Sequence, residues 1–143
     1  MSNISPIPKT VKTIGKSAFQ YCEYLESIEF EKNSCLEVID DLAFDSCQYT
    51  QSISEIPKSV KKIGKSAFGG CDQLKSISFQ KGAEIEYIGK DAFSYTSILT
   101  IPISEKVKGL SENFLLKRSC CMNFEISPKK ESIYILFWCP SLY

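Results

Sequence analysis

The hexapeptide IGKSAF spans Ile14 to Phe19 and recurs, letter for letter, at Ile63 to Phe68. Its Gly-Lys-Ser core ends like a phosphate-binding P-loop. Such a loop also needs a glycine five positions before the Gly-Lys pair, so that successive backbone N–H groups can turn inward around the phosphates. Thr10 and Ser59 stand there instead. Between the two copies, IDDLAF (Ile39 to Phe44) keeps Ile, Ala and Phe but replaces Gly-Lys with Asp40-Asp41. What recurs is an apolar frame. This is how a copied structural unit behaves, with Ile, Ala and Phe facing inward, Gly at a bend, and Lys16 and Lys65 in water.

Aligning the Ala-Phe pairs places Phe19, Phe44, Phe68 and Phe93 at intervals of 25, 24 and 25 residues, a spacing that belongs to repeat architectures. Three residues beyond each Phe stand Cys22, Cys47, Cys71 and Thr96. Five before each stand Ile14, Ile39, Ile63 and Ile88, and three before those Val11, Leu36, Val60 and Ile85. These are inward-facing ladders. A further segment, L-x-x-I-x-F, runs from Leu25 to Phe30 and from Leu74 to Phe79, and its last three positions alternate as a half-buried strand does. Shifted forms follow at Ile98-x-x-Ile101-x-Ile103 and Cys121-x-x-Phe124-x-Ile126, and the second unit departs furthest, with Thr50, Ile53 and Ile56.

A longer period lies over the short one. Residues 7–32 and 56–81 agree at 17 of 26 positions, a displacement of two units. The link from Ile7 to Val11, Ile56 to Val60 and Ile103 to Val107 is four residues, whereas Phe30 to Leu36 and Phe79 to Ile85 take six. Tight and wide turns therefore alternate, and Pro8 and Pro57, with φ held near −65°, suit the tight ones.

Units of the form I-P-x-x-V-x-x-I-G-x-x-A-F-x-x-C-x-x-L-x-S-I-x-F resemble the BspA-like leucine-rich repeats. The resemblance is strong over residues 7–103 and weak beyond. It implies a solenoid with parallel strands, and a family in which many members are surface proteins of mucosal bacteria and protists that adhere to other cells.

Composition narrows the chemistry. Seventeen basic and seventeen acidic residues cancel, so no global field gathers nucleic acid or an anionic membrane. There is no histidine, which removes Ser-His-Asp and Cys-His pairs, imidazole acid–base work and His metal ligation. The opening MSNISPIPKT shows no secretory leader pattern. The apolar run from Ile133 to Cys139 is far short of the roughly 20 residues that cross a bilayer. Asp40 and Asp41 are adjacent carboxylates without an identifiable catalytic partner. No enzyme, cofactor or metal site is expected.

Seven cysteines include no C-x-x-C pair, and a zinc site would have to gather Cys120, Cys121, Cys139 and others. Cys22, Cys47 and Cys71 share one repeat position, which predicts either a buried thiol column or a disulfide between neighbouring rungs. Free thiols suit a reducing compartment. Lys12, Glu37, Lys61, Glu86 and Lys108 alternate in sign along the stack, so opposite charges are expected to meet on adjacent rungs. Asn3-Ile4-Ser5 is a glycosylation sequon, idle without export.

The candidate binding residues lie between the buried positions of the L-x-x-I-x-F segments, where leucine-rich repeats expose a concave surface. They are Ser27, Glu29, Ser52, Ser54, Ser76, Ser78, Thr100, Asn123 and Glu125, with Pro102 beside them. This is a small, polar, weakly acidic strip without aromatic anchors.

The expected architecture is one leucine-rich-repeat domain over residues 1–143, with about five units of 21–25 residues. A parallel sheet lies on the concave side, with turns and short helical segments on the other. Clear repeats span 7–103. Residues 104–143 hold a degenerate repeat, followed by either an aromatic cap or a sixth repeat cut short around Phe137-Trp138-Cys139; the latter would favour end-to-end self-association. The expected function is non-catalytic protein binding, of adhesion or surface-antigen type. The alternative is an intracellular scaffold. The compartment stays open between the surface that the resemblance implies and the interior that the missing leader and free thiols suggest.

Overall fold

The structure, a computed structural model, describes residues 4–98, 100–103, 109–110, 121–126 and 133–138. The ladder positions face inward as the periodicity requires. Leu36, Val60, Ile39, Ile63, Ile88, Phe44, Phe68 and Phe93 are completely buried, with Ile14 and Ile85 nearly so, while Val11 and Phe19 at the first rung are only partly covered. The phenylalanines form a column. Ring centroids of Phe19, Phe44, Phe68 and Phe93 are 5.1, 5.3 and 5.4 Å apart with near-parallel planes, within the range for offset stacking.

Short strands punctuate the rungs: β1 (Thr13–Ile14), β2 (Ser27–Ile28), β3 (Val38–Ile39), β4 (Ser52–Ile53), β5 (Lys62–Ile63), β6 (Tyr87–Ile88), β7 (Thr100–Ile103), β8 (Gly109–Leu110), β9 (Cys121–Ile126) and β10 (Ile133–Trp138). The most continuous sheet is parallel, in the order β1-β3-β5-β6-β8, with Ile14, Ile39, Ile63, Ile88 and Leu110 in register. It therefore runs along the V-x-x-I segments, which the sequence reading treated as ladder positions and not as strands. The L-x-x-I-x-F segments contribute less: β2 pairs with β4, and Ile7 with Phe30 and Ile56 with Phe79 form single parallel bridges.

Between these faces the Ala-Phe segments are turns; among the described residues they contain no helix. Backbone N–H groups alternate in purpose. Ser17, Phe19 and Tyr21 donate to Asp41, Ala43 and Asp45 on the next rung, while Ala18, Gln20 and Cys22 donate to carbonyls three residues back. The same alternation recurs from Leu42 and from Ser66. It needs left-handed residues at fixed places, and Ser17, Leu42, Ser66 and Asp91 all have φ between 52° and 60°. Every second N–H points along the stack, so these turns join the rungs as a sheet does, and a helix here would forfeit those bonds.

The alternating links have distinct geometry. In the tight ones Val11 and Val60 donate to the carbonyls of Pro8 and Pro57 at 3.1 and 3.0 Å. The wide ones pass through left-handed Asn33 and Gly82. They also send Glu31 and Gln80 back to accept from the backbone N–H of Lys9 and Lys58 on the preceding tight link. A tight and a wide link thus complete each other, which accounts for the two-unit period.

The glycines of the Ile-Gly motif are required where rungs meet closely. A Cβ on Gly89 would lie 2.6 Å from the backbone nitrogen of Lys65, whereas one on Gly15 meets nothing within 4 Å. Gly89→Ala should therefore cost about 1–3 kcal/mol as an overpacked site, and Gly15→Ala should be close to neutral in denaturant unfolding. Asp40 holds the equivalent place over Gly15. There the neighbour is β1, an edge strand, which can shift to make room.

At the far end the pattern changes. β7, β10 and β9 form an antiparallel sheet with β10 in the middle, Ile135 registering with both Ile101 and Phe124. Cys121–Ile126 is thus a strand as its spacing suggested, but it pairs antiparallel with β10 and does not continue the parallel stack. Asn3, Lys108, Cys120 and Cys139 lie outside the described residues.

Candidate functional site

The proposed strip divides into two parts. In β2 and β4 the buried Ile28 and half-buried Ile53 alternate with Ser27 and Ser52, which are in register on adjacent rungs. Glu29, Ser52, Ser54, Ser76 and Ser78 are exposed, and Ser27 is half-buried. Ser54 has a structural task as well. Its N–H donates to the Ile28 carbonyl at 2.9 Å and its hydroxyl accepts from the Phe30 N–H at 3.2 Å, replacing a bridge that Phe30 and Ile56 do not form. Thr50, the polar residue in a leucine place, is fully buried and donates to the Leu25 carbonyl at 2.7 Å.

Thr100, Asn123 and Glu125 are not on successive parallel rungs. Thr100 and Asn123 both register with Leu136, and Glu125 with Tyr134, so β10 separates Thr100 from the other two within the antiparallel sheet. Two strand spacings put them about 10 Å apart.

Among the described residues the alternating charges Lys12, Glu37, Lys61 and Glu86 form no ion pairs with one another. Lys62 approaches Asp40 instead, Nζ to Oδ1 at 3.9 Å, and stands 6.0 Å from the Tyr87 ring centroid. Both partners are substantially exposed, so the pair is worth at most about 1 kcal/mol. Lys12, Glu37, Lys61 and Glu86 spend their backbones on the ladder, Glu37 N–H to Lys12 and Lys61 N–H to Glu37, and their side chains extend into solvent.

The cysteine column is real and occupied by thiols. Cys22, Cys35, Cys47 and Cys71 are free, with Cys47 and Cys71 fully buried. Each buried thiol donates to the phenylalanine carbonyl of the preceding rung, Cys47 to Phe19 at 3.1 Å and Cys71 to Phe44 at 3.3 Å. Thr96 continues the column with its hydroxyl bonded to the Phe93 carbonyl. Hydrogen bonding with Cys47, and then burial, push the Cys71 thiol well above its ordinary range; burial, and then the nearby Cys47, raise Cys22. The folded chain holds the Cys71 proton more tightly than the unfolded one, whose thiols titrate near 9.0. Iodoacetamide at mildly alkaline pH should accordingly modify exposed Cys35 within minutes and leave Cys71 untouched until denaturant is added, as read by peptide mass spectrometry.

Among the described residues no three His, Cys, Asp or Glu side chains gather as metal ligands, and no helix is long and apolar enough to cross a membrane. Among the described residues the exposed large hydrophobic side chains are tyrosines, Tyr21, Tyr24, Tyr49, Tyr87 and Tyr95. The sequence reading passed over them, although their signal was present: each falls outside every inward ladder.

Among solved structures, the chain is similar to a leucine-rich repeat protein from Bacteroides ovatus, at 33% identity and TM-score 0.64 over 73% of this chain. It is similar to the pneumococcal vaccine antigen PcpA, at 32% identity and TM-score 0.70 over 77%. A leucine-rich cell surface protein from Faecalibacterium prausnitzii, 20% identical with TM-score 0.52 over 89% of this chain, shares the fold. The chain spans only 26%, 27% and 43% of these three proteins. No curated protein matches it. Residues 1–133 match the BspA type leucine rich repeat region in six copies. With its stacked Phe and Ile columns and short parallel strands, the chain belongs to the BspA-type leucine-rich repeat family.

Proposed function

We propose that the chain is a non-catalytic protein-binding segment of adhesion or surface-antigen type. The observation that carries this reading is the row of exposed polar positions, Glu29, Ser52, Ser54, Ser76 and Ser78, held over a filled core by short strands and bridges. Such a face offers a surface to a partner, and its groups are hydroxyls and a carboxylate in a chain that has no histidine to activate them. The similarity to a vaccine antigen and to leucine-rich repeat proteins supports the surface setting.

The test is adhesion of chain-coated beads to an epithelial monolayer. A Ser52→Lys/Ser76→Lys variant should lose most of the adhesion while unfolding at the same denaturant midpoint; equal adhesion would defeat the assignment of this face. The free thiols favour a second reading, a scaffold in a reducing compartment. Seven reactive thiols in denatured protein from its native source would support the scaffold, and two or three disulfides would support export.

A further inference from the structure

Tyr21, Tyr24 and Tyr49 form an exposed aromatic corner on the first two rungs, at 65%, 76% and 50% of full accessibility. The backbone sets them together. Gln51 N–H donates to the Glu26 carbonyl at 2.8 Å and the Thr50 hydroxyl to the Leu25 carbonyl, which places Tyr49 one rung above Tyr24. Tyr21 N–H donates to the Asp45 carbonyl and Glu23 N–H to the Tyr21 carbonyl, so a tight turn tied to the second rung leads from Tyr21 to Tyr24 three residues on. None of the three rings fills the core, and Tyr21 holds a left-handed φ of 59°, a conformation that disfavours bulky side chains. The equivalent place on the third rung is Gly70. Packing gives no reason for tyrosine there.

The charge around the corner is one-sided in a chain that is neutral overall. Residues 17–31 carry Glu23, Glu26, Glu29 and Glu31 and no lysine or arginine; residues 42–57 carry Asp45 and Glu55 and again no cation. Glu23 and Glu26 are exposed beside the tyrosines. The third rung breaks this pattern with Lys75. Exposed tyrosine rings flanked by carboxylates are complementary to guanidinium groups, which stack on an aromatic face while pairing with carboxylate. We infer that this tyrosine corner docks an arginine-bearing basic segment of a partner protein. The corner abuts the polar strip but is a separate surface, and it stands whether or not that strip binds.

The probe is a fluorescein-labelled Arg-Ser-Arg-Ser-Arg-Ser-Arg peptide titrated with the full chain by anisotropy. Binding should be saturable and weaken several-fold between about 50 and about 300 mM salt, as expected for exposed charges. Tyr24→Ser/Tyr49→Ser should weaken it roughly tenfold, as should Glu23→Gln/Glu26→Gln, whereas Tyr24→Phe, which keeps the ring, and Tyr87→Ser, on the other sheet, should bind like the parent. All five residues are exposed, and matching unfolding midpoints verify that the variants fold. Absence of binding at about 1 mM chain, a range in which even millimolar affinity is visible, overturns the inference. So does undiminished binding by the double tyrosine variant, which would leave only unspecific charge attraction.

Discussion

Phe68→Ala should destabilise the chain by about 3–5 kcal/mol, the range for emptying a packed aromatic site. Phe68 has no solvent exposure and lies between Phe44 and Phe93, at 5.3 and 5.4 Å from their ring centroids. Truncation would leave both neighbours facing a void, and the rungs cannot close on it without straining the inter-rung bonds that space them, Phe44 N–H to the Ala67 carbonyl and Phe68 N–H to the Ala92 carbonyl, each 2.8 Å. Lys65→Ala is the control. Its exposed side chain can be removed while the Lys65 N–H keeps its 2.8 Å bond to the Asp41 carboxylate, so the change should stay within about 0.5 kcal/mol. Similar losses for the two in denaturant unfolding would contradict the inward column.

Deletion of residues 132–143 should be the most disruptive truncation, because it removes β10, the middle strand of the antiparallel sheet. β10 registers with β7 from Thr100 to Ile103 and with β9 from Cys121 to Ile126. At roughly 1 kcal/mol net per ladder hydrogen bond, losing the β7 side alone should cost about 3 kcal/mol. The deletion would also bare β7 as an unpaired edge, next to the fully buried Ile101. Edges of this kind recruit strands from other chains, so the shortened chain should self-associate with rising concentration in sedimentation velocity, and the intact chain should not. We propose on this basis that the C-terminal segment closes the stack. Equal stability and a monomeric state for both would remove that role.

The candidate site was legible in part. Inside the clear repeats, alternation alone identified which residues leave the core, and Glu29, Ser52, Ser54, Ser76 and Ser78 are exposed as that reading required. Ser54 was not recognisable as a bridging hydroxyl, because its task depends on the Phe30 N–H of another rung, 24 residues earlier. Thr100, Asn123 and Glu125 were aligned by spacing, yet spacing is silent on strand direction, and β10 enters between them. The alternating charges also misled. Exposed pairs gain too little to fix long side chains, and Asp40 found Lys62, which the alternation did not include.

What the sequence determined by itself was the set of columns. Every interval from ladder aliphatic to phenylalanine, Val11 to Phe19, Leu36 to Phe44, Val60 to Phe68 and Ile85 to Phe93, is eight residues, and equal lengths can stack only with like positions together. The tertiary structure decided which segment carries the sheet. Hydrogen bonds between rungs need register over consecutive residues, and the constant eight-residue interval keeps it, so β1, β3, β5, β6 and β8 run uninterrupted. The L-x-x-I-x-F segments instead lead into links of alternately four and six residues. Their backbones meet at Ile7 and Phe30 and at Ile56 and Phe79, where a tight link lies beside the wide one that completes it. From Phe30 to Ile56, where a wide link precedes a tight one, the bridge is lost and the Ser54 hydroxyl takes its place. Link lengths are visible in the sequence, but which backbone groups they bring within bonding distance emerges only when the rungs are stacked.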